Sequence, residues 1–168
     1  MEKKWIINKY NYEEFNNSRI KSILFFGLIW SIFEKEVCNN NAKIFDSRTL
    51  SLNLMAQLDT QSKRRISLIW NHFLKRYIDQ DTHNINNIFE NFTFNPNDDK
   101  NFVEYALRKQ KNASYEEKCE AIIRVIFRLR NNLLHGQKDV TRLYEQNDNF
   151  KNSNKFLTIL IDKRIRLN

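Results

Sequence analysis

Two glycines, Gly27 and Gly136, and one proline, Pro96, are all that a chain of 168 residues contains. β-Sandwiches and barrels need turn residues every few positions, and a phosphate-cradling loop needs several glycines in close order. All-β architectures and Walker or Rossmann nucleotide sites are thereby excluded. What remains are long uninterrupted segments with apolar residues at helical spacing. The length suits one compact domain burying roughly 68–70% of its unfolded surface and is short for two independent cores. The expectation is a single all-α domain over residues 1–168, a bundle of five or six helices. Hydrophobic residues at 41% and charged residues at 29% give the balance of a chain that folds.

From about Tyr12 to Val37, the residues Ile20, Ile23, Phe26, Trp30, Phe33 and Val37 recur at helical spacing. Phe25, Leu28, Ile29 and Ile32 add apolar surface on the other side, so this helix needs two partners, either neighbouring helices or another subunit. After the Asn39-Asn40-Asn41 breaker, Asp46 or Ser47 caps a helix through Leu50, Leu54 and Leu58. Another runs from about Gln61 to Tyr77, or the two form one kinked element. Gln80 to Asp99 is polar, with a turn signal at Asn95-Pro96-Asn97-Asp98, and reads as the longest and most mobile connection. A helix follows over Asp99 to Gln110. Ser114-Tyr115-Glu116-Glu117 has the form of a capping box, opening a helix that runs to His135 with Gly136 as terminator. Gln146 to Asn154 reads as a loop and Lys155 to Leu167 as the closing helix. The aromatic residues follow helical spacing and read as core.

Subtracting 20 Asp+Glu from 28 Lys+Arg leaves +8, a surface that attracts polyanions such as nucleic acid. Cys38 and Cys119 show no CxxC or Cys/His spacing, so neither a disulfide framework nor a zinc site is expected, and no metal or cofactor is read. The opening Met1 to Trp5 leads into no apolar signal stretch. The longest apolar run, Ile23 to Phe33, is broken by Ser31 and too short to span a bilayer, so the expected location is the cytoplasm, without membrane contact. His72, beside Trp70 and Phe73, reads as a packing residue. Lys63-Arg64-Arg65, Lys75-Arg76 and Lys163-Arg164-x-Arg166 read as solvated basic faces or an RNA-binding surface.

Chemistry concentrates in Arg128-Leu129-Arg130-Asn131-Asn132-Leu133-Leu134-His135-Gly136-Gln137-Lys138. At about 100° per residue, Ile122, Ile123, Val125, Ile126, Phe127, Leu129, Leu133 and Leu134 share a broad arc that includes Arg130. Arg124, Arg128, Asn131, Asn132 and His135 fall opposite. A guanidinium in an apolar arc needs a partner, because an uncompensated buried charge costs several kcal/mol. The same construction places Glu34 on the inner arc of the first helix, so an Arg130–Glu34 pair is expected, its planar fork bonding both oxygens.

Arg130-Asn131-x-x-x-His135 followed by Gly136 resembles the signature of the HEPN superfamily, an Arg and a His separated by four to six residues. The fuller string is similar to the Apea-like HEPN branch. The likeness is close from about Ala121 to Lys138 and elsewhere extends only to a helical bundle of suitable size. It implies metal-independent RNA cleavage, in which a ribose 2′-hydroxyl attacks the adjacent phosphate and leaves a 2′,3′-cyclic phosphate. His135 would then move the proton, Arg130 stabilise the charge on the phosphorane, and Asn131 orient one or the other. Arg128 and Lys138 would bind the substrate backbone. The resemblance further implies a toxin or phage-defence effector, an antitoxin or other defence protein as partner, and a homodimer with a composite site. On one straight helix Arg130 and His135 point about 140° apart, which also favours convergence of two chains. The alternative is a HEPN-like module that binds RNA or nucleotide, or mediates assembly, without cutting.

Overall fold

The computed structural model describes residues 17–94, 99–134 and 145–167, with the side chains of 17–20 excepted. His135, Gly136, Lys138, the Asn95–Asp98 turn, the stretch before Asn17 and the Ile20 side chain lie outside the described residues. Seven α-helices occur among the described residues: α1 Asn17–Glu36, α2 Ser47–Met55, α3 Thr60–Tyr77, α4 Asn87–Glu90, α5 Lys100–Lys109, α6 Tyr115–Leu134 and α7 Asn147–Asp162. One isolated antiparallel bridge, Ile78 to Ile85, is the β-type pairing among them. The protein is all-α as its composition requires, with one helix more than five or six because the polar connection after α3 winds the single turn α4.

Asn39 and Asn40 stop α1 in left-handed backbone, at φ 51° and 60°, a conformation Asn tolerates better than most residues. Of the two readings of the next segment, two helices or one kinked element, the structure has two helices. Asp59 separates α2 from α3 by leaving the helical region and accepting the Ser62 amide at 2.7 Å, an N-cap that the sequence reading passed over. The capping box forms as its spacing predicts: Glu117 N donates to Ser114 Oγ at 3.1 Å, and Ser114 N donates to Glu117 Oε2 at 2.7 Å.

Two segments depart from the expected loops. In the connection after α3, Phe89 and Phe92 are buried against Tyr77, and Asn86 caps α4, so local polarity hid an aromatic anchor. Helix α7 begins at Asn147 rather than near Lys155, because Asn149, Phe150 and Ser153 continue its buried face toward the N-terminus. Its Asn residues mask a helical pattern that Phe150, Leu157 and Leu160 carry.

Helix α6 is the centre. It packs against α2, α3, α5 and α7, and every residue from Cys119 to Leu129 except Arg124 is buried. Helix α1 lies along α7, joined by the Phe26–Phe150 edge contact at 4.9 Å and by Asn154 Nδ2 donating to the Ser22 carbonyl at 2.8 Å. Trp30 reaches from α1 to Phe127 of α6, ring centroids 5.0 Å apart in a T-shape. The aromatic residues at helical spacing, Phe26, Trp30, Phe33, Trp70, Phe73 and Tyr77, are core as expected.

Candidate functional site

The last turns of α6 carry Arg130 and Asn131, and α1 supplies support for Arg130. Arg130 is half-buried. Its guanidinium lies over the Trp30 ring, 5.4 Å from the centroid, and Nη1 donates to Asn131 Oδ1 at 2.9 Å. A cation over an indole face is stabilised without a second charge. The Trp30 Nε1 in turn donates to Glu34 Oε2 at 3.2 Å. The expected Arg130–Glu34 pair is therefore replaced by a relay, with the indole between carboxylate and guanidinium. No ion pair joins those two residues among the described residues.

Because Asn131 Oδ1 accepts from Arg130, its Nδ2 hydrogens face away from that bond. They form no hydrogen bond among the described residues. Arg130 Nε is buried and likewise has no acceptor among them. Cationic side chains near the end of α6 are also favoured by the negative end of the helix dipole.

Arg128 corrects the expectation of a solvent-side cation. It is 1% exposed, the largest fully buried side chain among the described residues, and its Nη2 donates to Asn132 Oδ1 at 2.9 Å. Asn132, also expected outside, is buried too. One turn earlier, Arg124 Nε and Nη2 both reach Glu120 Oε1, at 3.1 and 2.7 Å, and the Arg124 guanidinium covers the Phe102 ring at 5.2 Å. Glu120, Arg124, Arg128 and Asn132 thus form a polar stripe with a four-residue step on the most buried helix. Its sequence signal was available as two i, i+4 pairs. Trp30, the residue that seats Arg130, was read only as core.

The described part of the site holds fixed hydrogen-bond donors suited to an anion. No group of three or more His, Cys, Asp or Glu side chains among the described residues is arranged to hold a metal ion, and no described helix is long and apolar enough to cross a membrane. No family model, curated protein or solved structure matches the chain.

Proposed function

We propose that the chain is a metal-independent endoribonuclease of the HEPN type, acting as a toxin or phage-defence effector on RNA. The observation that carries this reading is the Arg130–Asn131 hydrogen bond seated on Trp30, which sets two residues of the motif side by side at the end of α6. The third, His135, follows in sequence. Arg130 offers fixed donors to the non-bridging phosphate oxygens, where negative charge grows in the transition state. His135 accepts the 2′-hydroxyl proton as the oxygen attacks phosphorus, or gives a proton to the departing 5′-oxygen. The 2′-oxygen–phosphorus bond forms, the phosphorus–5′-oxygen bond breaks, and no oxidant or metal is required. Arg128 acts at a distance, positioning Asn132 inside the bundle. Lys138 serves the substrate backbone.

A homodimer is part of the proposal. Leu24, Phe25, Leu28 and Ile32 form an exposed apolar stripe on α1, with Leu24 65% and Leu28 63% exposed. Gly27 is exposed at the edge of that stripe beside Leu24, and a Cβ there would meet nothing within 4 Å, which leaves room for a second helix at close approach. End-group analysis tests the chemistry. Cleaved RNA should carry 2′,3′-cyclic phosphate and 5′-hydroxyl ends, and 5′-phosphate ends would contradict it.

A further inference from the structure

Helices α3 and α7 run antiparallel, as three pairs show: Asp59 with Lys163, Arg65 with Thr158, and His72 with Asn149. Arg65, His72 and Arg76 are spaced seven and four residues apart and share one face of α3. Across the seam stand Thr158 and the exposed Lys155. Lys155 and Arg76 are both close enough to His72 to disfavour its protonated form, while Asp148 favours it. Two cations and one carboxylate therefore act on the imidazole, with Arg65 two turns further along the same face.

The seam also fixes which nitrogen of His72 carries the proton. Asn149 Nδ2 donates to Gln146 Oε1 at 2.7 Å, which turns Asn149 Oδ1 toward His72 at 2.8 Å. That oxygen can only accept, so His72 Nε2 is the donor and Nδ1 carries the lone pair. Nδ1 makes no hydrogen bond to any described residue, so its lone pair remains available to an outside donor. Burial pushes the imidazole below its usual pKa, which keeps this tautomer neutral at pH 7.

We propose that the α3–α7 seam binds a single RNA strand, with phosphates on Arg65, Arg76 and Lys155 and a ribose 2′-hydroxyl donating to Nδ1 of His72. The choice of RNA rests on the ribonuclease reading. The charge of the seam alone would suit any phosphodiester strand, but an unpaired acceptor beside cations is matched best by a strand that carries 2′-hydroxyl donors.

The test is fluorescence anisotropy with a short labelled RNA and a DNA of matching sequence, in EDTA, across about 50–200 mM salt. The full chain carries His135→Ala so that the RNA stays intact. Lys155→Ala should flatten the dependence of log affinity on log salt by about 0.7 for both strands. His72→Gln keeps a donor for Asn149 and moves the acceptor from the Nδ1 position to an amide oxygen with different geometry. It should weaken RNA binding about two- to tenfold and leave DNA binding unchanged. An unchanged salt slope in Lys155→Ala, or an unchanged RNA-to-DNA ratio in His72→Gln, would overturn the proposal. Lys155 is exposed, so its variant decides the matter even where His72→Gln fails to fold. Binding that follows these expectations, where the parent chain with His135 intact does not cut RNA, would remove the ribonuclease reading and keep the seam. Cleavage with both variants binding as the parent does would remove the seam and keep the reading.

Discussion

Arg128 and Asn132 are hydrogen-bonded at 2.9 Å inside the bundle, one turn apart on α6, and neither side chain reaches solvent. Removing the guanidinium leaves an unsatisfied buried oxygen and a large void. Arg128→Ala should therefore lower stability by about 3 kcal/mol. Arg130→Ala loses mainly its contact with the Trp30 face, a loss of about 1 kcal/mol. Urea denaturation midpoints of the two variants check the order, and a larger loss in Arg130→Ala would contradict this burial pattern.

The start of α6 gives a prediction with a pH sign. A hydrogen bond from Lys109 at 2.6 Å, helped by the Ser114 amide, holds the Glu117 carboxyl below its usual pKa. Its stabilising contribution is present above the unfolded value near 4.5 and is lost as pH falls through the lower folded value. Thermal midpoints should thus fall more steeply on the acid side in the parent than in Glu117→Gln. Ser114→Ala should lower stability by about 1 kcal/mol at neutral pH, through loss of the cap.

Burial pushes both cysteine thiols, Cys38 and Cys119, up to about 12. The thiolate is the reactive form, so neither should react with an aromatic disulfide reagent in the native protein at pH 8. Absorbance should show both thiols only after denaturant is added. A fast native phase would mean that one of them is open to solvent.

The exposed α1 stripe bears on assembly. Leu28→Glu places a charge beside Gly27 on the proposed self-association surface without touching the core. Light scattering should report a dimer for the parent and a monomer for the variant, with helical content unchanged by circular dichroism. A parent that is monomeric at micromolar concentration would rule out this interface.

The helical architecture was legible because Gly and Pro are nearly absent and because Ser114 and Glu117 carry the start of α6 in plain spacing. The division of α6 into a buried and a solvated arc was not. A helical wheel assumes one buried face, and α6 is enclosed by four helices, so Glu120, Arg128 and Asn132 of its polar stripe are as buried as its apolar residues. That is why Arg128 was placed outside and is inside. The wheel puts Glu34 and Arg130 on facing arcs but carries no volume, and in three dimensions each meets the Trp30 indole rather than the other. The α7 start was missed for the opposite reason: its Asn-rich first turns lower hydropathy while Phe150 alone anchors them.

Single-turnover cleavage of RNA in EDTA by the parent and by His135→Ala tests the central claim most directly. The reading predicts that the parent cuts without divalent metal and that His135→Ala, with an unchanged denaturation midpoint, is slower by about 10²–10⁴-fold. A parent that cuts only when magnesium is supplied, or a folded His135→Ala variant that cuts at the parental rate, would contradict it.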